Sequence, residues 1–367
     1  MRTKQEQNKV RRRLLYLWFP HFSIERHKRI EIDKIEKQDD FSGIIIIQDR
    51  AGRRVVIASC PLAFQMGVAV GLSLEDALAA CPSLLVFEAD LIADQLAIET
   101  LARWCGRYTP LVSIDKANKG LGNAGIWLDI TGCAHLFGGE ADLLSDIIAR
   151  LTTINWTAFG AISDTPGSAW AVARFNSGVT QLIAPGEQQS ALSELPLSAL
   201  RLPKNTVDDL SKVGLRKISQ LMLVPRAPLR ARFGKNIRLR LDQALGIEKE
   251  TVSPQTLHSP YLARLVLLEP ISNSEAIKQI LSYLLPQVIE MLVTRSLGIR
   301  QLRLSLYKID GKVHELKIRT SQVSQNSDII LRLFSEKIDN CLLDKGADVV
   351  TLEATETDII QYKQVYL

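Results

Sequence analysis

The sequence predicts a multidomain fold of the α/β and α+β classes, and three observations support this prediction. Apolar segments of strand composition alternate with helical patterns from Leu14 to about Pro185, which is typical of a sheet covered by helices. From Leu192 to Gly246 strand patterns are missing and helix start signals recur. From Tyr261 the order is strand, helix, strand, strand, helix, strand, which predicts a ferredoxin-like split β-α-β unit.

Short apolar runs bounded by turn residues predict the strands of the N-terminal region. These runs are Leu14 to Phe19, Gly43 to Ile47, Arg54 to Ala58, Leu111 to Ile114, Ile126 to Ile130 and Ala158 to Ile162. Helical periodicity predicts helices over Ser73 to Ala80, Leu91 to Tyr108 and Glu140 to Thr153. Together they indicate an α/β sandwich in which helices pack on a sheet.

The helical region contains a tight turn at Val213, Gly214 and Leu215 between two helix patterns. Helix, glycine turn and helix form the outline of a helix-hairpin-helix, in which backbone N–H groups at a helix start contact a DNA phosphate without reading sequence. A basic stretch, RAPLRARFGKNIRLR, follows with no acidic residue among its cations. The predicted DNA-binding residues here are Gly214, Arg216, Lys217, Arg226, Arg230, Arg232, Lys235, Arg238 and Arg240. A solvated helix face is the alternative interpretation of these charges.

The C-terminal region is organised around a hairpin at Asp310 and Gly311, a dipeptide that favours a tight turn. Its predicted elements are Tyr261 to Leu268, Ser274 to Thr294, Ile299 to Ile309, Lys312 to Thr320, Ser327 to Leu343 and Asp348 to Glu356. Cations alternate with apolar residues along the hairpin, as expected for a sheet with one core face and one wet face. The alternation alone fits cations that keep this face soluble, and only the family resemblance carried by residues 109–140 favours contact of Arg300, Arg303, Lys317 and Arg319 with a DNA backbone.

Composition limits the class of protein. An apolar fraction of 46% and an aromatic fraction of 6% are ordinary for a soluble globular chain, and a net charge of +5 is compatible with nucleic acid without identifying it. No apolar run approaches the roughly 20 residues of a membrane helix, and the basic start MRTKQEQNKVRRR has no signal-peptide core. We therefore predict a cytoplasmic protein. The five cysteines lack metal-binding spacing and are expected to be reduced and mostly buried.

The stretch TPLVSIDKANKGLGNAGIWLDITGCAHLFGGE, from Thr109 to Glu140, predicts a hairpin with Asp115 beside its turn. It resembles the catalytic hairpin of the Y-family (translesion) DNA polymerases. Together with CGRYTPLV and AISDTPGSAWAVARF, it resembles the ImuB branch more closely. In that family an Asp and the adjacent Glu hold the Mg²⁺ ions that align a nucleotide triphosphate with the primer end. The nearby His135 is interpreted as a hydrogen-bonded turn residue rather than a catalytic base.

The resemblance implies that most metal ligands of the family are replaced in this chain. Asp115 is retained, but Lys116 stands at the adjacent Glu position, and Trp18 and Pro20 stand at the two acidic positions of the first strand. Two-metal nucleotidyl transfer needs several carboxylates around ions roughly 4 Å apart. We therefore expect no complete catalytic site, no metal site and no cofactor.

The nucleotide-binding positions of the family are also replaced. Pro61 and Phe64 stand near the Tyr and Arg that hold the triphosphate, and Trp170 or Ala171 stands at the phosphate-binding Lys. Losses at each of these positions, within a chain that keeps the pattern of the fold, predict a pseudo-polymerase.

The resemblance also implies the domain organisation and the partners. The expected domains are a basic tail (1–13), a palm (14–190) with a fingers insertion (about 33–86), a helix-hairpin-helix thumb (191–250), a linker (251–260), a little-finger-like domain (261–358) and a C-terminal tail (359–367). The implied role is damage-induced translesion synthesis on primed or damaged DNA. The implied partners are an active error-prone, replicative-type polymerase and a RecA-like accessory protein. Gln361 to Leu367 is a poor match to the family's sliding-clamp peptide, so clamp binding is an open expectation.

Two other functions fit the same sequence. An active translesion polymerase would need Asp115, Asp129 and Glu25 to rebuild the Mg²⁺ site. A protein-only adaptor would use the sheets and helices without binding DNA. A further hypothesis is that the Lys116 ammonium neutralises Asp115 in place of Mg²⁺, so that Lys116→Glu alone creates divalent-ion binding.

Overall fold

The computed structural model describes residues 11–30, 43–118, 120–176, 180–225, 229, 232–251, 255–256, 259–341 and 344–360. The chain divides into two compact units. The first comprises Met1–Ala102 and Val112–Gln255, and the second comprises Arg103–Leu111 and Thr256–Leu367.

The first part of the chain forms an α/β structure. Its strands are β1 (Leu14–Phe19), β2 (Gly43–Arg50), β3 (Arg53–Ser59), β4 (Leu84–Glu88), β5 (Leu111–Ile114), β6 (Ala124–Asp129), β7 (Phe159–Ser163), β8 (Gln181–Leu182) and β9 (Gln255–Thr256). Its helices are α1 (Phe22–Ile30), α2 (Pro61–Gln65), α3 (Leu74–Ala80), α4 (Leu91–Cys105), α5 (Glu140–Thr153), α6 (Pro166–Phe175), α7 (Gln188–Ser193), α8 (Lys204–Lys212), α9 (Ile218–Leu223) and α10 (Asn236–Leu245).

Strand β1 lies at the centre of the larger sheet, whose order is β8-β7-β1-β6-β5-β9. It pairs antiparallel with β6 on one side and with β7 on the other. Its sequence LLYLWF is almost entirely buried, which explains why it reads as a continuous apolar run rather than an alternating one. The predicted strand and the observed strand coincide.

A smaller sheet has the order β3-β2-β4, with β2 antiparallel to β3 and parallel to β4. Strand β4 was not predicted from the sequence. This strand has five residues, and most of its side chains are only partly buried, so its hydrophobic pattern is weak.

The helical region shares its hydrophobic core with the larger sheet. Buried side chains from β1 and α6, such as Tyr16 and Trp170, cluster with Leu200, Leu210 and Leu241 from the helical region. Helices α8 to α10 therefore pack in the same core as Trp127 of β6, the second strand of the Asp115 hairpin.

The second unit is an antiparallel sheet covered by two helices. Its elements are β10 (Leu262–Ile271), α11 (Ser274–Val293), β11 (Leu297–Lys308), β12 (Val313–Ser324), α12 (Ser327–Asp339) and β13 (Ala347–Ile359). The predicted β-α-β-β-α-β order is present. The sheet order is β10-β13-β11-β12, so the strand inserted into the split β-α-β unit is the last one.

Helix α11 is the one described helix that is long and apolar enough to cross a membrane by length and composition. No segment of this kind was predicted from the sequence. Ile277, Leu281, Leu284 and Val288 are fully or almost fully buried in the core of the second unit. Packing in this core therefore accounts for the buried apolar face of the helix.

The cysteine prediction is confirmed. All five cysteines are free thiols, and Cys60, Cys81, Cys105 and Cys341 are buried while Cys133 is partly buried. Burial raises the pKa of the Cys105 thiol to about 12.

Candidate functional site

Asp115 directly follows β5 and begins the turn of the predicted hairpin. Strands β5 and β6 pair antiparallel, and the backbone N–H of Asp115 donates to the carbonyl oxygen of Gly125 at 2.9 Å. A 3₁₀ helix, Lys116–Asn118, forms the next step of the turn. The side chain of Asp115 thus lies beside the central strand β1, because β6 pairs with β1.

Neutral donors surround the carboxylate of Asp115. Its Oδ2 accepts hydrogen bonds from Tyr16 Oη at 2.8 Å, Asn118 Nδ2 at 3.0 Å and Trp170 Nε1 at 3.3 Å. Its Oδ1 accepts from the backbone N–H of Ala117 at 3.1 Å. Three of these donors bind the same oxygen, so its coordination sphere is occupied by groups of the chain.

Tyr16 is fixed as a proton donor in this cluster. Its side chain is buried, and burial together with the adjacent charge of Asp115 raises its pKa far above the usual value of 10.0. Asn118 Nδ2 donates to its hydroxyl oxygen at 3.1 Å. The hydroxyl hydrogen is consequently directed to Asp115.

Arg174 lies on the far side of the Asn118 amide. Its Nη1 donates to Asn118 Oδ1 at 2.7 Å, while the amide nitrogen of Asn118 donates to Asp115. The guanidinium also lies 4.6 Å from the ring centroid of Trp170 and 5.1 Å from that of Trp18, within cation–π range. A cation and an anion are therefore linked through one amide.

The acids of the alternative polymerase site do not converge. In the β1–β6 register, Trp18 faces Gly125 at one end, whereas Leu14 faces Asp129 at the other. These two positions are four residues apart along the strand, or roughly 13 Å. Asp129 is bound instead by Arg12 Nε at 2.9 Å.

Glu25 is also committed elsewhere, because its Oε2 accepts from the backbone N–H of Thr157 at 3.0 Å. Within the described ranges, no group of three His, Cys, Asp or Glu side chains is placed to hold a metal ion. The donor set around Asp115 therefore does not fit the two-metal site that the resemblance implies.

Lys116 does not take the place of a metal at Asp115. Its side chain is exposed, and among the residues that the structure describes it forms no salt bridge with Asp115. The hypothesis of Lys116 as the counter-ion is wrong for this geometry, because the 3₁₀ helix places its side chain in solvent.

The nucleotide-binding positions carry no cation. Pro61 is the first residue of α2, and Phe64 on the same helix is 63% exposed. Trp170 is 9% exposed and directs its indole N–H to Asp115. The substituted side chains therefore provide no charge for a triphosphate.

The turn between α8 and α9 has the predicted order of helix, glycine turn and helix. Gly214 adopts a positive φ of 86°, which favours glycine. The backbone N–H groups of Arg216 and Lys217 donate to Gln220 Oε1 at 2.7 and 3.0 Å. The Gln220 side chain caps α9 through these two bonds, and contact of Arg216 and Lys217 with a DNA phosphate stays a prediction. Lys217 also pairs with Glu194 at 2.6 Å.

The basic stretch is less free of acids than its local sequence suggests. Arg238 pairs with Asp242 at 2.8 Å and Arg240 pairs with Glu250 at 3.1 Å. Asp242 lies one turn after Arg238 on α10, and Glu250 lies beyond the end of that helix. Both acids are outside the stretch RAPLRARFGKNIRLR, which contains no acidic residue. Of the predicted DNA-binding cations in the helical region, Arg216, Arg232 and Lys235 are exposed and have no acidic partner in the described structure. Arg226 and Arg230 lie outside the described residues.

The hairpin of the second unit carries cations paired with acids. The pairs are Arg300–Asp358 at 3.6 Å, Arg303–Glu353 at 2.6 Å, Lys317–Glu315 at 3.1 Å and Arg319–Glu356 at 2.9 Å. Three of the acids come from β13, which lies beside β11 in the sheet. A wholly cationic face is therefore not formed.

Comparison with known proteins agrees with this architecture. Residues 37–174 match the impB/mucB/samB family. Protein ImuB from Caulobacter vibrioides (strain NA1000 / CB15N) is 36% identical over 289 residues, which cover 79% of this chain and 62% of that protein. This chain contains an impB/mucB/samB family domain and is similar to ImuB. It spans about 62% of the length of the ImuB proteins that it matches.

Other relatives of this ImuB-like chain include DNA polymerase IV from Shewanella frigidimarina, 27% identical over 88% of the chain and 92% of that protein. Among solved structures, DinB from Sulfolobus solfataricus matches with a TM-score of 0.54 and 14% identity, covering 93% of this chain and 97% of that one. An insertion ternary complex of Dbh DNA polymerase matches with a TM-score of 0.55 over the same shares. These matches confirm the predicted fold class.

Sequence reasoning missed three residues of the Asp115 cluster: Tyr16, Asn118 and Arg174. Tyr16 lies two residues before Trp18 on the same strand face, and Arg174 lies one helical turn after Trp170. Those spacings were visible in the sequence. The contact with Asp115 was not visible, because the donors come from three separate elements.

Proposed function

We propose that this chain is a non-catalytic scaffold of damage-induced translesion DNA synthesis, which binds primed or damaged DNA and recruits an active polymerase. The observation that supports this most directly is the commitment of Asp115 Oδ2 to three neutral donors. A carboxylate held in this way, with Trp18, Pro20 and Lys116 at the neighbouring acidic positions, lacks the ligands that two-metal catalysis requires. We propose that the chain binds no catalytic Mg²⁺.

Contact with DNA is proposed for the helical region. Arg216, Arg232 and Lys235 are exposed, and they are not neutralised by an acid in the described structure. Such cations bind phosphates without base specificity and release counterions on doing so. Sequence-independent binding to primed or damaged DNA is the expected result.

The proposed partners follow from the relatives. The ImuB similarity favours an error-prone, replicative-type polymerase and a RecA-like accessory protein as binding partners, with the sliding clamp as a further candidate. A cytoplasmic location at the bacterial nucleoid follows from this role.

Primer extension by the purified full chain tests the proposal. A primed template, all four nucleotides and either Mg²⁺ or Mn²⁺ should give no extension, under conditions where the same DNA is bound. Extension that disappears in an Asp115→Ala variant would overturn the proposal, because it would require a working metal site at Asp115.

A protein-only adaptor is the second candidate, and the acid pairing of Arg300, Arg303, Lys317 and Arg319 favours it. Salt dependence separates the two functions. A DNA-binding scaffold loses affinity steeply as salt rises, whereas the adaptor shows no DNA binding even at low salt.

A further inference from the structure

The Asp115 cluster has an electrostatic feature that the loss of catalysis alone does not require. An active site that has only lost its metal ligands would leave Asp115 exposed to solvent or neutralised by a nearby cation. Here the carboxylate is bound by neutral groups, and the nearest linked cation is the Arg174 guanidinium beyond the Asn118 amide.

The Asn118 amide fits this place in one orientation. Its nitrogen faces the Asp115 carboxylate and the Tyr16 hydroxyl, and its oxygen faces Arg174. The flipped amide would direct its oxygen at a carboxylate and its nitrogen at a guanidinium, with two donors or two acceptors in contact. At 5% exposure, water cannot readily relieve that mismatch. The polarity of the amide is therefore fixed by the two charges on either side.

Arg174 is held for this role by its aromatic neighbours. Its guanidinium lies over Trp170 and Trp18, and in the described part of the chain it forms no salt bridge with a carboxylate. Trp170 itself donates to Asp115. The same tryptophan thus contacts both the anion and the cation of the cluster.

We propose that Arg174 is the internal counter-ion of Asp115, acting through Asn118 in place of the divalent cation that the fold family implies. The chain thereby closes the vacated metal site with its own side chains. This inference rests on the proposed function, since it explains how a single retained acid is neutralised in a non-catalytic palm. Arg174 acts as a positioning residue with no role in chemistry.

A double-mutant cycle on the full chain tests the pairing. Asp115→Asn and Arg174→Gln should each lower the melting temperature of the first unit by about 5 °C, the scale of losing a charge-assisted hydrogen bond in a unit of this size. The melting temperature of the double variant should be no lower than that of the less stable single variant, because the second change removes a partner already lost. Lys116→Gln, the matched control that removes the neighbouring charge, should leave the melting temperature unchanged.

Additive losses in the double variant would overturn the proposal, and so would a loss in Lys116→Gln equal to that of Arg174→Gln. Differential scanning calorimetry suits this test because a chain of two compact units can depart from a single two-state transition.

A spectroscopic measurement provides a second test if a variant folds poorly. The indole ¹⁵N–H signal of Trp170, assigned with Trp170→Phe, reports its hydrogen bond to Asp115 in the native chain. Arg174→Lys keeps the charge but not the planar guanidinium, so it should shift this signal, whereas Lys116→Gln should not. A signal insensitive to Arg174→Lys would overturn the proposal.

These measurements need no catalytic activity. Additive losses without primer extension would remove only the role of Arg174, whereas Asp115-dependent extension would remove the proposed function itself.

Discussion

The hydroxyl of Tyr16 occupies the space that a side chain at Gly125 would fill. A Cβ built on Gly125 would lie 2.1 Å from Tyr16 Oη and 2.7 Å from the ring carbon that bears it. Glycine on β6 therefore permits a tyrosine on β1 to reach Asp115, because Gly125 lies two residues along β6 from Trp127, the register partner of Tyr16.

Gly125→Ala should consequently displace Tyr16 and lower the stability of the first unit. Overpacking of this kind costs about 1–3 kcal/mol, which corresponds to a fall in melting temperature of roughly 2–12 °C for a unit of this size. Thermal unfolding measures the effect. Tyr16→Phe should relieve part of the clash, so a double variant less stable than Gly125→Ala alone would contradict the explanation.

Lys116→Glu should not create a divalent-ion site by itself. The new carboxylate would lie on an exposed side chain, while Asp115 Oδ2 would keep its bonds to Tyr16, Asn118 and Trp170. Mn²⁺ titration followed by electron paramagnetic resonance measures the binding. Saturable binding in Lys116→Glu that is abolished by adding Asp115→Ala would show that Asp115 is available as a ligand.

Two arginines of the second unit should behave differently although both were predicted to contact DNA. Glu353 is 0% exposed and pairs with Arg303 at 2.6 Å, so Arg303→Ala would remove a charge-assisted hydrogen bond from a buried carboxylate that keeps its bond from the Ser259 N–H, at a cost of about 1.5–3 kcal/mol. The Arg319 side chain is 70% exposed in its pair with Glu356, and its loss should cost under about 1 kcal/mol. Urea denaturation compares the two. Equal losses of stability would contradict a structural role for Arg303.

In the helical region, the exposed cations that lack an acidic partner should contribute more to DNA binding than a cation that is already paired with an acid. Arg232→Gln and Lys235→Gln should each reduce the slope of log affinity against log salt by about 1, as expected for one lost phosphate contact. Arg238→Gln is the matched control, because Arg238 is already paired with Asp242. Arg238→Gln should lower the free energy of unfolding, and it should change the slope of log affinity against log salt less than Arg232→Gln and Lys235→Gln do. An unchanged slope in both exposed variants would assign DNA contact to another surface.

Titration of the Glu25 carboxyl should lower the free energy of unfolding as pH rises. Burial raises the pKa of its carboxyl above 4.5, although hydrogen bonding to Thr157 opposes the shift. Because the folded state holds this proton more tightly than the unfolded state, the associated stability is present at low pH. It is lost as pH rises through the window above 4.5. Glu25→Gln should flatten this dependence in unfolding measurements between about pH 4 and 7. A pH profile identical to that of the unchanged chain would contradict the assignment.

Strand and helix positions follow closely from local sequence where the signal is strong. The run LLYLWF predicts β1 because both faces of a central strand are buried, and the periodicity of Glu140–Thr153 predicts α5. Strand β4 escaped prediction because it is short and only partly buried. The pairing of Arg238 and Arg240 escaped it because their acids lie beyond the stretch considered.

Local sequence identifies which chemical groups are present: Asp115 is kept, and Trp18, Pro20 and Lys116 stand where the resemblance places acids. Tertiary structure decided what Asp115 does. Its donors come from β1, from the 3₁₀ turn and from α6, and only the packing of β1 beside β6 and of α6 against the sheet brings them within hydrogen-bond distance. Residue identity is a local property, whereas the partner of a charge depends on which distant segments the core holds together.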